Sequence, residues 1–209
     1  MPSKPTVFIV DDDPAVRDSL RWLLGSVDLA VETYATGEHF LRAYDPARPG
    51  CLVLDVRMPG MGGLRLQEEL TAQGIRLPII ILTGYAEVQT AVRALKTGAF
   101  DFLEKPYSDE MLLDRIHHAI ETDRQTRAAA ALRAEVAAHY ALLTPREREV
   151  MGLVTAGKAN KVIATELGLS PKTVEVHRAA VMDKMGADSV ADLVRLEVLL
   201  QSERGTPAV

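Results

Sequence analysis

Five polar residues in the first half of the chain stand where chemistry is easiest to build. Asp11 and Asp12 follow the β-branched run Thr6–Val10, and Asp55 closes the apolar run Cys51–Leu54. Thr83 ends the run Ile79–Leu82, and Lys105 follows Phe100–Leu103. In a parallel α/β sheet, ligands gather outside the carboxyl ends of the strands. If the first and third strands are neighbours, three carboxylates meet there, with a hydroxyl and an ammonium beside them. Hard oxygen donors with room for water suit Mg²⁺. A carboxylate beside such a cation can attack phosphorus and form an aspartyl phosphate. The cation offsets charge on the transferring group, and Lys105 with the Thr83 hydroxyl can hold the phosphoryl oxygens. Any one of these aspartates reads equally well as a helix cap, as Asp13-Pro14 does. Five polar groups, all at strand carboxyl ends, do not reduce to capping.

The elements needed to place them are legible. Pro14 opens a helical pattern with Val16, Leu20, Leu23, Leu24 and Val27 at helical spacing. A strand is expected at Leu29–Tyr34, a helix after Thr36-Gly37-Glu38, a turn at Pro59–Gly63 and a helix at Leu64–Gln73. Another helix is expected at Val88–Thr97, closed by Gly98, and Ser108 caps a last one. Continuous apolar strands such as Leu52–Leu54 and Ile79–Leu82 are buried on both faces, so the sheet is parallel and covered by helices on both sides. Alternation of strand and helix makes this an α/β domain with a doubly wound five-stranded parallel sheet.

From residue 123 the character changes. Residues 123–141 are rich in Ala, Arg and Glu without Pro or Gly, which predicts a helical linker. Beyond it only helical patterns occur. Thr144-Pro145-Arg146-Glu147 is a capping-box start, and further helices are expected at 161–167, from Ser170-Pro171 to about Met185, and at Ser189–Leu200. The short Gly168-Leu169-Ser170 connection fits a helix-turn-helix. The boundaries expected are 1–122, a linker at 123–141, a small all-α helix-turn-helix domain at 142–202 and a disordered tail at 203–209.

The bulk properties agree. With 209 residues and 47% hydrophobic content, the chain can bury a core in two small domains. The net charge of −5 divides unevenly: residues 1–122 carry −6 and residues 123–209 carry +1. Two modules with different partners follow, although the second is too weakly basic to argue for nucleic acid on charge alone. A single cysteine, Cys51, gives no disulfide framework and reads as a small buried hydrophobe. No apolar run nears the roughly 20 residues of a membrane span, and Met1–Pro5 does not read as a signal peptide. A secreted mini-protein and a membrane protein are therefore excluded, and a cytoplasmic location is expected. His117 and His118 are assigned no chemistry.

Four motifs carry a resemblance: Phe8-Ile9-Val10-Asp11-Asp12-Asp13, Leu54-Asp55-Val56-Arg57-Met58-Pro59-Gly60-Met61, Leu82-Thr83-Gly84 and Phe102-Leu103-Glu104-Lys105-Pro106. In order and spacing they resemble the flavodoxin-like receiver domain of two-component response regulators, over about residues 5–122. The resemblance implies that Asp55 accepts phosphate from a cognate sensor histidine kinase. It implies Mg²⁺ bound by Asp12, Asp55 and the Arg57 backbone carbonyl, with Asp11 assisting through water. Lys105 would pair with the phosphoryl group, Thr83 would move toward it and Phe102 would rotate inward behind it. The Lys105–Pro106 bond would be cis. Residues Val88–Leu103 would form a phosphorylation-sensitive dimer surface, and Arg57 and Tyr85 would influence phosphate lifetime.

The second half resembles the LuxR-type DNA-binding domain in Leu143–Val150, in Asn160-Lys161 followed by Ile163-Ala164, and in Leu169–His177. With the receiver, this is similar to the FixJ subgroup of response regulators. In the helix from Lys172, Val174, Val181 and Met185 share an inward face, leaving Lys172, Glu175, Val176, Arg178 and Ala179 outward, near the half expected to meet base edges. Thr173, Lys161 and Lys172 suit phosphates. Glu175 can accept from cytosine and Val176 can touch a thymine methyl. Asn160, His177, Arg178 and Ala179 complete the expected contact set, His177 reading equally as a packing residue. Leu193, Leu196, Val198, Leu199 and Leu200 exceed what one module needs to bury, and the resemblance implies that part of this face forms a dimer contact between DNA-bound modules.

The expectation is a phosphorylation-controlled regulator that dimerises, binds double-stranded promoter DNA at two half-sites about one helical turn apart, and acts as an activator with RNA polymerase as a further partner and no membrane. A phosphatase working through an aspartyl phosphate needs a second acid two residues after its nucleophile, and position 57 is Arg. A helical module docking only protein is the other alternative, separable by the salt dependence of duplex binding.

Overall fold

A computed structural model of the chain describes residues 4–84, 92 and 94–204. Residues 88–91 and 93, half of the helix expected at Val88–Thr97 and the first part of the dimer surface expected over Val88–Leu103, lie outside the described residues, as does Tyr85. The chain divides into two units, Met1–Arg127 and Ala128–Val209.

The first unit is a five-stranded parallel sheet. Its strands are β1 (Thr6–Val10), β2 (Ala30–Tyr34), β3 (Gly50–Asp55), β4 (Ile79–Thr83) and β5 (Asp101–Glu104), in the order β2-β1-β3-β4-β5. Reversal of direction after β1 creates the crevice between β1 and β3 that such sheets use for ligands. β1, β3 and β4 are buried along their whole length, as continuous apolar runs require. The edge strands β2 and β5 are only partly buried. Alternating side chains of the central strands feed two cores. Phe8, Val10, Leu52, Leu54, Ile79 and Ile81 pack with Phe40 and Leu66, while Val7, Ile9, Val53, Ile80 and Leu82 pack with Leu24, Leu112 and Ile116.

The helices α1 (Pro14–Ser26), α2 (Gly37–Ala43) and α3 (Gly63–Ala72) cover the sheet. Asp13 caps α1 by accepting the Ala15 N–H at 2.8 Å, and Thr36 caps α2 through the His39 N–H. Helix α4 runs unbroken from Asp109 to Ala141, so residues 123–141 continue the helix begun at Asp109 and are not a separate element. Near Arg127 this helix is bonded to the start of β3. The buried Asp123 carboxylate accepts the Gly50 N–H at 2.9 Å and Arg127 Nε at 2.8 Å. Arg127 also donates to the carbonyls of Pro46 and Arg48 at 2.9 and 2.8 Å. Only glycine serves at position 50: its φ is +149°, and a Cβ would lie 1.8 Å from the Thr6 carbonyl oxygen.

The second unit has its own core. Val136 of α4 packs with α5 (Pro145–Thr155), α6 (Asn160–Leu167), α7 (Pro171–Met185) and α8 (Val190–Arg204). Thr144 and Glu147 form the expected capping box at α5. Residues 203 and 204 of the tail expected to be disordered are helical, since α8 continues through Arg204, and the rest of that tail lies outside the described residues. Leu193 is buried, and Leu196, Leu199 and Leu200 are partly buried in the same core. The unit thus absorbs most of the surplus expected on that helix, leaving Val198 60% exposed.

Candidate functional site

The parallel register brings the carboxyl ends of β1, β3, β4 and β5 to one edge. Asp11 follows β1 and is 2% exposed, while Asp55 ends β3 at 8%. Lys105, one residue past β5, places Nζ 2.6 Å from Asp55 Oδ1 and 3.4 Å from Asp11 Oδ2. Its backbone N–H donates to the Thr83 carbonyl at 2.7 Å, tying the end of β5 to that of β4. The Lys105–Pro106 bond is cis. Asp55 Oδ2 accepts the Arg57 N–H at 2.6 Å, and Asp11 Oδ1 accepts the Asp13 N–H at 2.9 Å. The turn into α3 presses on the same place, where a Cβ on Gly63 would lie 2.2 Å from the Asp55 carbonyl oxygen.

Thr83 is buried at this edge, its hydroxyl 3.5 Å from the Gly84 carbonyl. Asp12 and Arg57 are exposed beside it. Phe102 lies on β5, 37% exposed. Sequence reasoning missed Arg17. Its guanidinium reaches back from α1 to the carbonyls of Asp11 and Asp12 at 2.7 and 2.9 Å, fixing the chain between the two aspartates. A basic residue one turn into the following helix was the available signal.

Two carboxylates held by one ammonium leave the cluster net negative. Burial pushes the Asp11 carboxyl above its ordinary range, with the Asp13 N–H and Lys105 opposing and Asp55 adding to the rise. For Lys105 burial opposes the charge, but the bonds to Asp55 and Asp11 outweigh it and hold the ammonium above its usual value. Among the described residues no three His, Cys, Asp or Glu side chains form a metal cage. Mg²⁺ does not need one: it keeps several waters and takes one or two carboxylates with phosphate oxygens. The paired oxygens of Asp11 and Asp55, whose negative charge Lys105 only half offsets, fit that cation.

In the second unit, α6 ends at Gly168, left-handed with φ 64°, and Ser170 caps α7 through the Thr173 N–H. Val174, Val181 and Met185 are buried, as their spacing requires. Lys161, Lys172, Glu175 and Ala179 are exposed, and Val176 is 63% exposed. Asn160, Thr173 and His177 are half-buried; the Thr173 hydroxyl lies 2.8 Å from Ser170 Oγ within the cap. Arg178, expected outward, is half-buried as well, with Nη1 donating to Asn160 Oδ1 at 2.9 Å. Two braces were not foreseen. Lys184 Nζ donates to both Glu147 oxygens at 2.9 and 2.7 Å, and Arg146 holds the Leu167 carbonyl at the end of α6. The Lys184 bond and the Thr144 N–H hold the Glu147 carboxyl below its ordinary range.

Two family models match the chain: the response regulator receiver domain over residues 7–117, and the luxR family of bacterial regulatory proteins over residues 141–197. The chain is 45% identical to the transcriptional regulatory protein FixJ of Bradyrhizobium diazoefficiens, covering 94% of this chain and 96% of that one. It is 48% identical to the C4-dicarboxylate transport transcriptional regulatory protein DctR of Rhodobacter capsulatus, over 91% and 98%. Among solved structures, the response regulator StyR superposes with a TM-score of 0.87 at 43% identity, over 94% of this chain and 99% of that one.

Proposed function

The chain belongs to the FixJ-like two-component response regulators, transcriptional regulators that join a receiver to a LuxR-type DNA-binding domain, and from that premise we propose that Asp55 is its phosphoacceptor. Receiver and DNA-binding domains imply a histidine kinase and DNA as partners. A carboxylate oxygen of Asp55 attacks the phosphorus of a phosphohistidine. The P–O bond forms as the P–N bond breaks, and the imidazole nitrogen leaves with its electron pair. Lys105, 2.6 Å from Asp55 Oδ1, is placed to take a phosphoryl oxygen, and Thr83 offers its hydroxyl to another. Asp11, Asp12, Asp55 and the Arg57 carbonyl would hold Mg²⁺, which supplies charge neutralisation when bound.

Phosphorylation shifts the receiver between two states, with Thr83 and Phe102 reporting it. The phosphorylated form dimerises and reads promoter DNA in the cytoplasm. Exposed Glu175, Val176 and Ala179 meet base edges, while Lys161, Lys172 and Thr173 meet phosphates. The chain is a signalling switch; its own chemistry is confined to Asp55. No described helix is long and apolar enough to cross a membrane.

The observation that carries this reading is the bond from Lys105 Nζ to the carboxylates of both Asp55 and Asp11. With Mg²⁺ and radiolabelled acetyl phosphate, the wild type should take up a hydroxylamine-labile label, and Asp55→Ala should take up none while melting normally. Equal labelling of the variant would move the phosphoacceptor elsewhere.

A further inference from the structure

Helical phase separates Arg178 from the exposed face of α7. At 100° per residue, Arg178 falls at the edge of the stripe of Val174, Val181 and Met185, all buried. Lys172, Glu175, Val176 and Ala179 lie on the opposite side and are exposed. The buried stripe packs inward, so the Arg178 stem leaves the helix toward its own domain. Its guanidinium ends on Asn160 Oδ1 at 2.9 Å, bridging 18 residues of sequence.

The chemistry of that bond is directional. A guanidinium has donors only, so the group it meets on Asn160 must be the amide oxygen. The bond thereby fixes which way the Asn160 amide is turned and directs its two N–H donors away from Arg178. Asn160 is also the first residue of α6, and the residue before it, Ala159, gives that helix no side-chain cap. Arg178 is thus the side chain that ties the start of α6 to α7. Lys161, exposed, follows at once.

We propose that Arg178 is a positioning residue for DNA binding: it orients the Asn160 amide and the first turn of α6 toward the phosphate backbone and does not itself contact DNA. The proposal rests on the DNA-binding reading of the second unit. It assigns different work to two residues that the sequence places in one contact set. Asn160 spends its donors on the backbone, and Arg178 acts only through Asn160. A phosphate contact by Arg178 would add a released counterion, whereas a positioning role adds none.

The test uses the full chain, phosphorylated or treated with beryllium fluoride and Mg²⁺, and a fluorescent duplex of random sequence. Dissociation constants are measured by anisotropy across a salt series for wild type, Arg178→Met, Asn160→Ala and the double variant. Methionine keeps the aliphatic stem and removes only the guanidinium. Each single variant should weaken binding by roughly fivefold, and the double variant should be no weaker than Asn160→Ala, because coupled residues are not additive. The salt slope should be unchanged in Arg178→Met and should fall by about 0.9 in Lys161→Ala, which loses a phosphate contact. Thermal melts of each variant separate loss of fold from loss of orientation; if Arg178→Met melts early, Arg178→Gln, which can still donate to Asn160, should restore both affinity and coupling. A slope reduced in Arg178→Met, or losses that multiply in the double variant, would overturn the proposal while leaving DNA binding intact. Absence of salt-dependent binding by the wild type would overturn the DNA-binding reading, and this proposal with it.

Discussion

Asp11 is a carboxyl in a place that resists charge. It is 2% exposed and lies with Asp55 against a single lysine. Its carboxyl is raised above the ordinary range, so the folded chain binds that proton more tightly than the unfolded chain does. The sign follows: this group favours folding below its unfolded pKa and weighs against it as pH rises through the folded value. Asp11→Asn should therefore raise the melting midpoint at neutral pH by about 2–4 °C, and the gain should fade on acidification. The same change should weaken Mg²⁺ binding. Calorimetric melts across pH check the first statement, and a lower midpoint at neutral pH contradicts it. Asp11, Asp55 and Lys105 were legible because each ends a strand run, where short-range pattern fixes position. Arg178 was not. Its residue type suits a phosphate as well as it suits Asn160, and only its phase against Val174 and Val181 shows which it meets.

At the scale of elements, β3 joins the two ends of the receiver. Asp55 closes it, and its first residue, Gly50, donates to Asp123 of α4. Asp123→Ala leaves the buried Gly50 N–H and the Arg127 Nε–H without their acceptor, while the other Arg127 nitrogens keep the Pro46 and Arg48 carbonyls. The expected cost is about 2–3 kcal/mol, discounted because the Arg127 side chain is 32% exposed. Urea unfolding should show a lower midpoint with an unchanged slope, and Asp123→Asn should lose less, since its amide oxygen still accepts from Gly50. A shift within error for Asp123→Ala would show that the bonds are replaced by water. The strands themselves were legible: Leu52–Leu54 and Ile79–Leu82 are apolar throughout because helices cover both sheet faces. The tie at Asp123 was invisible in sequence. It sits among Glu, Arg and Ala typical of an exposed helix, and its partner lies 73 residues away.

Across the whole molecule, each unit carries a hydrophobic core made from its own residues. The motifs marked both units, but not how far α4 serves each. Ile116 and Ala119 pack in the receiver, and Val136 packs in the helical unit. Between them, none of residues 128–135 is buried. That stretch is helical on the propensity of Ala, Leu, Arg and Glu, with no packed side chain to hold it. Local opening there costs least, and a protease needs a locally opened backbone to cut. Of the four arginines in α4, Arg115 is paired with Asp101, Arg124 with Glu121, and Arg127 is held by Asp123 and two carbonyls. Arg133 lies inside the unpacked stretch. Brief trypsin treatment read by mass spectrometry should cut α4 first after Arg133, and earlier cleavage after Arg127 would show that the tie at Asp123 is open in solution.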